Sequence, residues 1–379
     1  MSVDAHQTSE NDPIEDKAMP SEDNPGSLHR KRPLLTISII ALVLSVGALA
    51  AYIFRERLIP TVPSKALTVP IVRNSPSSIE NVPSADGSPK SFTRFSDPLP
   101  VAPDPRLVEQ SRFGIMPRVS EDGVKPREVY SRPLLWSQIA QQLPVRGTDA
   151  SRPARNPRIG IVVTGAGLSY LTTVEALMTL PANVTFAFSP YASDVDNQVA
   201  DARRDDHEVI LEIPMESSNA RLNDPGRMAL MTDLDANLNV ERLSWIMSRF
   251  PGYFAAIPFM GEKFMSQPEK LNPILSDLAD RGLALVSATE SSFVKDIATK
   301  LNLPFVQSNL QIDSDLDPDS IRTQLVNLEQ IARKDGVAIG TMRPVNLSIR
   351  QLEVWINSLP DKGIDLVPVS AIVLNRKDS

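Results

Sequence analysis

Two glutamates four positions apart, Glu212 and Glu216 in "EVILEIPME", are the side chains best spaced for chemistry. On a strand and the turn after it, positions an even number apart share a face, so both can point into one cavity. Paired carboxylates do acid–base work or flank a scissile glycosidic bond. The structural alternative is that Glu216 caps the next element, while Glu212 faces solvent or pairs with Arg343. A second stretch, "RIGIVVTGAGL" from Arg158 to Leu168, reads as a buried strand entering a glycine-flanked turn, where α/β proteins place their function. It supplies Thr164, Gly165, Ala166 and Gly167, with one hydroxyl and no charge. As a phosphate cradle it is incomplete: Tyr170 stands at the third glycine position, and no acid is placed for a ribose. Of three histidines, His6 and His29 lie in the N-terminal tail, so a metal site built on two histidines cannot form further along. The absence of cysteine excludes disulfides, thiolate metal sites and cysteine nucleophiles. The acidic run "DSDLDPD", Asp313 to Asp319, lacks the glycine and terminal glutamate of a calcium loop.

The elements that must hold these residues alternate from Arg158 onward. Strand patterns are "RIGIVVT", "NVTFAFS", "EVILEIP", "YFAAIPF", "ALVSA", "PFVQS", "VAIGT" and "IDLVPV". Between them, "LSYLTTVEALMTL", "NLNVERLSWIMSRF", "PEKLNPILSDLADRG", "SFVKDIATKL", "DPDSIRTQLVNLEQIARKDG" and "SIRQLEVWINSL" follow the helical period. Asp317 with Pro318 opens one helix and Gly336 closes it. This alternation predicts a parallel sheet covered by helices, closed as a (β/α) barrel or a barrel-like form; an open doubly wound sheet is the other arrangement it permits. Function is then expected at the carboxyl ends of the strands. Those ends carry Thr164 and Gly165; Glu212, Pro214, Met215 and Glu216; Pro258, Phe259, Gly261, Glu262 and Lys263; Ser287, Thr289 and Glu290; Gln307 and Ser308; Thr341 and Arg343; and Ser370. His207 precedes its strand, at the stability face. Trp245 and Trp355 fall on apolar helical stripes and are expected in the core.

Upstream, the 379-residue chain changes character. Residues 1–33 are polar and expected to be a disordered cytoplasmic tail. Leu34 to Phe54 is uncharged and long enough to cross a bilayer; a core helix or a cleaved signal peptide is the alternative. Arg30, Lys31 and Arg32 precede it, so the positive-inside rule orients the C-terminal domain outside an inner membrane, in a periplasm. Residues 55–157 are rich in Pro and Ser and read as an unfolded linker, with a helix at 129–143 either docked on the domain or free. The domain is expected over 158–375. A net charge of −7 argues against nucleic-acid binding.

The series "RIGIVVTGAGLS", "NVTFAFSPYA", "DHEVILEIPME", "GYFAAIPFMGEKF", "DLADRGLALV" and "GIDLVPVSAIV" resembles the divergent polysaccharide deacetylase family over Arg158 to Val373. These are bacterial envelope proteins related to metal-dependent carbohydrate deacetylases of the NodB-homology type. The resemblance implies a distorted (β/α) barrel. It also implies an Asp-Asp pair where this chain has Thr164 and Gly165, and histidines where it has Glu212 and Phe259. His207, Glu208, Pro214, Met215, Glu216, Met260 and Gly261 match. A deacetylase of this class uses a metal to polarise the amide and activate water, which needs about three protein ligands. Thr164, Gly165 and Phe259 therefore read as emptied metal positions. No cofactor is expected, and zinc only if a site is rearranged around Glu212 and Glu216. The expected function is binding of an envelope glycan or envelope protein in a cleft lined by Thr164, Glu212, Glu216, Phe259, Glu262 and Arg343. An active metal-dependent hydrolase and a purely structural tethered module are the alternatives.

Overall fold

The computed structural model describes residues 98–132, 156–219, 222–288 and 291–374. Among them, no helix is long and apolar enough to cross a membrane. The expected span at 34–54, most of the expected helix at 129–143, and Thr289 and Glu290 lie outside them.

Nine strands form one parallel sheet. In chain order they are β3 (Arg158–Ala166), β4 (Thr185–Phe188), β5 (Val209–Met215), β6 (Ala255–Met260), β7 (Ala284–Ser287), β8 (Phe305–Gln307), β9 (Leu310–Gln311), β10 (Val337–Met342) and β11 (Asp365–Leu366). The spatial order is β8-β7-β6-β5-β4-β3-β10-β9, with β11 pairing on β3. The sheet is curled, and one chain segment serves both edges. β8 pairs with β7 and β9 with β10. Between them, Ser308 N–H donates to the Ser287 carbonyl at 2.8 Å and Asn309 N–H to the Ile339 carbonyl at 2.8 Å.

Strand parity sorts the apolar side chains into two cores. One row of each strand packs under the helices: Ile159, Ile161 and Val163 on β3, and Val209, Leu211 and Ile213 on β5. The opposite row meets inside the curl: Val162, Ala187, Ile210, Ile257, Val286, Val306 and Ile339. Burial on both faces explains why the strands read as continuous apolar runs. The covering helices are α2 (Tyr170–Thr179), α3 (Val195–Arg204), α4 (Ala236–Met247), α5 (Pro268–Asp280), α6 (Ser292–Lys300), α7 (Pro318–Asp335) and α8 (Asn346–Ser358). Asp317 caps α7 by accepting the Asp319 and Ser320 N–H groups, and Gly336 ends it at φ +80°, as the sequence predicts. A four-residue helix, α9 (Ser370–Val373), plugs the amino end of the curl. Gly160 gives it room: a Cβ there would sit 2.9 Å from Ile372.

The linker expectation fails for residues 98–132. They form a β-hairpin, β1 (Val108–Ser111) with β2 (Gly114–Pro117), and a short helix, α1 (Pro126–Val129). Buried Leu107 and Tyr130 join the inner core. The anchor is Arg203, only 7 % exposed, at the end of α3. It donates to the carbonyls of Gly252 and Pro100, each at 2.7 Å, and its guanidinium lies 5.1 Å from the Tyr130 ring centroid. Asp206 accepts the Leu99 N–H at 3.0 Å and pairs with Arg132. Prolines made this stretch read as a tether, yet its few apolar residues fall on one cluster.

Candidate functional site

Parity places Thr164, Glu212, Phe259 and Arg343 on the inner rows of β3, β5, β6 and the end of β10, at the carboxyl end of the curl. Glu212 is only 2 % exposed. Its Oε1 accepts the Gly165 N–H at 2.6 Å, joining β5 to β3 past the intervening β4. Gly165 and Gly167 bend the chain there with φ +73° and +87°, a region that costs glycine little. Burial pushes the Glu212 carboxyl up to about 8, against the single Gly165 bond. At neutral pH it is therefore mostly the uncharged acid.

Arg343 does not meet Glu212. Its N–H and Nε both donate to Asp313 Oδ2, at 3.0 and 3.2 Å, and its Nη2 to the Asp313 carbonyl at 2.6 Å. Asp313 is fully buried and also accepts from Ser348 Oγ at 3.2 Å. In the sequence Asp313 merges into the acidic run up to Asp319, and only the short stretch "LQI" before it marks a strand end. Thr164 Oγ1 donates to the Met342 carbonyl at 3.1 Å, fixing the end of β3 beside the base of Arg343. Nor does Glu212 face solvent: both parts of its structural alternative are corrected by burial and by the Gly165 bond.

Glu216 turns away from Glu212 into a loop closure. Its Oε2 accepts the Thr232 N–H at 2.7 Å and hydroxyl at 2.6 Å, and its Oε1 the Lys263 Nζ at 2.6 Å. Burial alone would raise this carboxyl, but the Lys263 and Thr232 bonds outweigh it and hold it below the usual glutamate value. Phe259 is half-buried and followed by Met260 and Gly261 at φ +59° and +96°. Glu262 is exposed at the rim. Ser370 is not at this end at all: it donates to Glu208, which also takes the Arg132 N–H, at the amino end of β5. His207 lies there too, 1 % exposed, its ring nitrogens 2.9 and 3.3 Å from the carbonyls of Val184 and Leu177. Trp355 is buried as expected, whereas Trp245 is only partly covered.

A divalent metal does not fit this donor set. Thr164 is committed to Met342, Gly165 has no side chain, Phe259 is apolar, Glu212 favours its neutral form, and Glu216 is taken by Lys263 and Thr232. Among the described residues, no group of three or more His, Asp or Glu side chains could hold one. What the arrangement does offer is a half-exposed guanidinium oriented by Asp313, at the same end of the strands as a buried carboxyl that fixes the Gly165 turn.

The comparisons with known proteins bear on this geometry. An uncharacterized protein from Agrobacterium tumefaciens C58 is 30 % identical, with a TM-score of 0.61, covering 69 % of this chain and 100 % of that one. The catalytic domain of peptidoglycan N-acetylglucosamine deacetylase from Eubacterium rectale ATCC 33656 is 15 % identical, TM-score 0.36, covering 60 % of this chain and 94 % of that one. A putative cellobiose-phosphate cleavage protein from Enterococcus faecalis V583 is 9 % identical, TM-score 0.43, covering 57 % and 99 %. The last two are too distant to inform the site. Among curated proteins there is no match. The family model for divergent polysaccharide deacetylases matches residues 161–373, more than half of the chain, and the protein belongs to that family.

Proposed function

We propose that this protein binds an envelope polysaccharide at the carboxyl-end mouth of its barrel and does not carry out metal-dependent deacetylation. The observation behind this reading is the buried Glu212 held on the Gly165 N–H. A metal would require about three ligand side chains there, and the chain supplies one carboxyl, with Thr164 and Glu216 committed to other partners. Arg343, its side chain 45 % exposed and braced by Asp313, presents a guanidinium to a sugar hydroxyl or N-acyl carbonyl, half-buried Phe259 offers a ring face, and buried Glu212 holds the Gly165 turn in place behind them. An envelope protein is the other occupant such a mouth could take. We further propose that residues 34–54 anchor the chain in the inner membrane with this domain in the periplasm, on the uncharged run and the basic residues before it.

The test uses the full-length chain exposed to zinc, manganese or nickel and dialysed. Retained metal is measured by elemental analysis, acetate release from an N-acetylated glycan by assay, and glycan binding by titration calorimetry. The expected result is no retained metal, no acetate, and saturable binding weakened by Arg343→Ala. Stoichiometric metal that disappears in Glu212→Gln would replace this reading with the hydrolase.

A further inference from the structure

A cleft lies on the flank of the barrel, lined by none of Thr164, Glu212, Phe259 and Arg343. It encloses about 320 Å³ between the turn after β4, the long loop after β5, and α4, and is lined by Pro190, Tyr191, Arg227, Met228, Trp245 and Arg249. Its walls are built rather than incidental. Tyr191 Oη accepts the Met228 N–H at 3.1 Å, and Gly226 packs so closely on the phenol ring that a Cβ there would meet it at 2.6 Å. Tyr191 and Trp245 stand 6.0 Å apart between centroids. Arg249 is aimed: its Nε donates to the Pro190 carbonyl at 3.1 Å and its guanidinium lies 5.1 Å from the Trp245 centroid. That leaves the two terminal nitrogens of Arg249, and the whole guanidinium of exposed Arg227, without a hydrogen-bonded or ion-paired partner among the described residues. Asp196 and Asp224 are the nearby acids, and neither pairs with them; Asp224 accepts the Gly226 N–H instead.

Two guanidinium groups without an ion-pair partner among the described residues, over apolar and aromatic walls in a chain of net charge −7, call for a ligand with both characters. Arginine held on an aromatic face presents a planar fork that suits a carboxylate. Pro190, Tyr191 and Met228 suit the C–H face of a ring, because aromatic faces carry partial negative charge. We propose that this cleft is a binding site for an acidic sugar residue, a pyranose ring bearing a carboxylate, with Arg249 and Arg227 on the acid and Tyr191 against the ring. Its saccharide half rests on the glycan-binding reading of the protein; its anion half stands on the cleft alone.

The test is titration calorimetry on the full-length chain with an oligoglucuronate, the matching neutral oligoglucose, and inorganic phosphate. Oligoglucuronate is expected to bind saturably, with the neutral oligomer weaker by about tenfold or more, the worth of one charged hydrogen bond. Arg249→Gln weakens it by a similar factor, and the double variant Arg227→Ser with Arg249→Gln binds no better than wild type binds the neutral oligomer. Arg227→Ser alone guards against misfolding, since that exposed side chain holds nothing together; it too must weaken binding. Equal affinity for acidic and neutral oligomers, or binding untouched in a folded double variant, overturns the proposal. Phosphate binding as tightly as oligoglucuronate overturns its saccharide half. A neutral acetylated glycan that fails to bind sinks the mouth reading and leaves this one standing.

Discussion

At the scale of single residues, Glu212 sets the sharpest expectation. Its folded carboxyl titrates near 8 because it is buried, whereas a free glutamate titrates near 4.5. Between those values the unfolded chain releases a proton that the folded chain keeps, so stability falls as pH rises through that window and levels off above about 8. The full penalty is on the order of 5 kcal/mol. Glu212→Gln keeps the acceptor for Gly165 and removes the titration. Denaturant unfolding followed against pH should find the variant more stable than wild type at pH 7–9, the gain shrinking to nothing below about pH 4.5. A gain independent of pH would mean that the carboxyl is charged in the folded protein. The sequence made Glu212 visible through its parity with Glu216, and Arg343 through its place at a strand end. It could not reveal that Arg343 belongs to Asp313, because that pairing joins residues thirty apart across two strands.

At the scale of elements, the turn between β3 and α2 is the tightest constraint. Gly167 has φ +87°, and a Cβ there would sit 2.5 Å from the Ala192 Cβ. Gly167→Ala therefore meets both backbone strain and a clash between two elements, and should cost about 2 kcal/mol or more, read as a lowered midpoint of thermal unfolding. Gly165→Ala has no such clash, its nearest neighbour being Leu168 at 3.8 Å, and should cost only its left-handed backbone, about 1 kcal/mol. Most strands and helices were legible because a doubly buried strand is an apolar run and a covering helix is periodic. α3, "VDNQVADARR", was not: its buried face is Val195, Gln198, Val199, Ala202 and Arg203, so polar side chains share the stripe and too few apolar residues mark it. "IDLVPV" promised a full strand, but only Asp365 and Leu366 pair with β3, because Pro368 cannot supply a ladder donor and the chain turns into α9.

At the scale of the whole described domain, the family segment from residue 161 is not the folding unit. Residues 98–132 close the amino end of the curl, and Arg203 holds them with its charge set only on carbonyls and a ring. Burial without an acid partner pushes its guanidinium down to about 10. Arg203→Met strands the carbonyls of Pro100 and Gly252 and should cost about 3 kcal/mol. Limited proteolysis should then cut within 98–132 while the sheet stays resistant; cleavage no faster than in wild type would show that the hydrophobic contacts of Leu107 and Tyr130 suffice. The same clamp has a mechanical meaning. A pull on the chain ahead of Leu99 meets Asp206, which takes the Leu99 N–H, and Arg203, which holds the Pro100 carbonyl, at the opposite end of the strands from Glu212. The domain can thus be pulled from upstream without distorting its mouth, as a hook can be loaded through its shank.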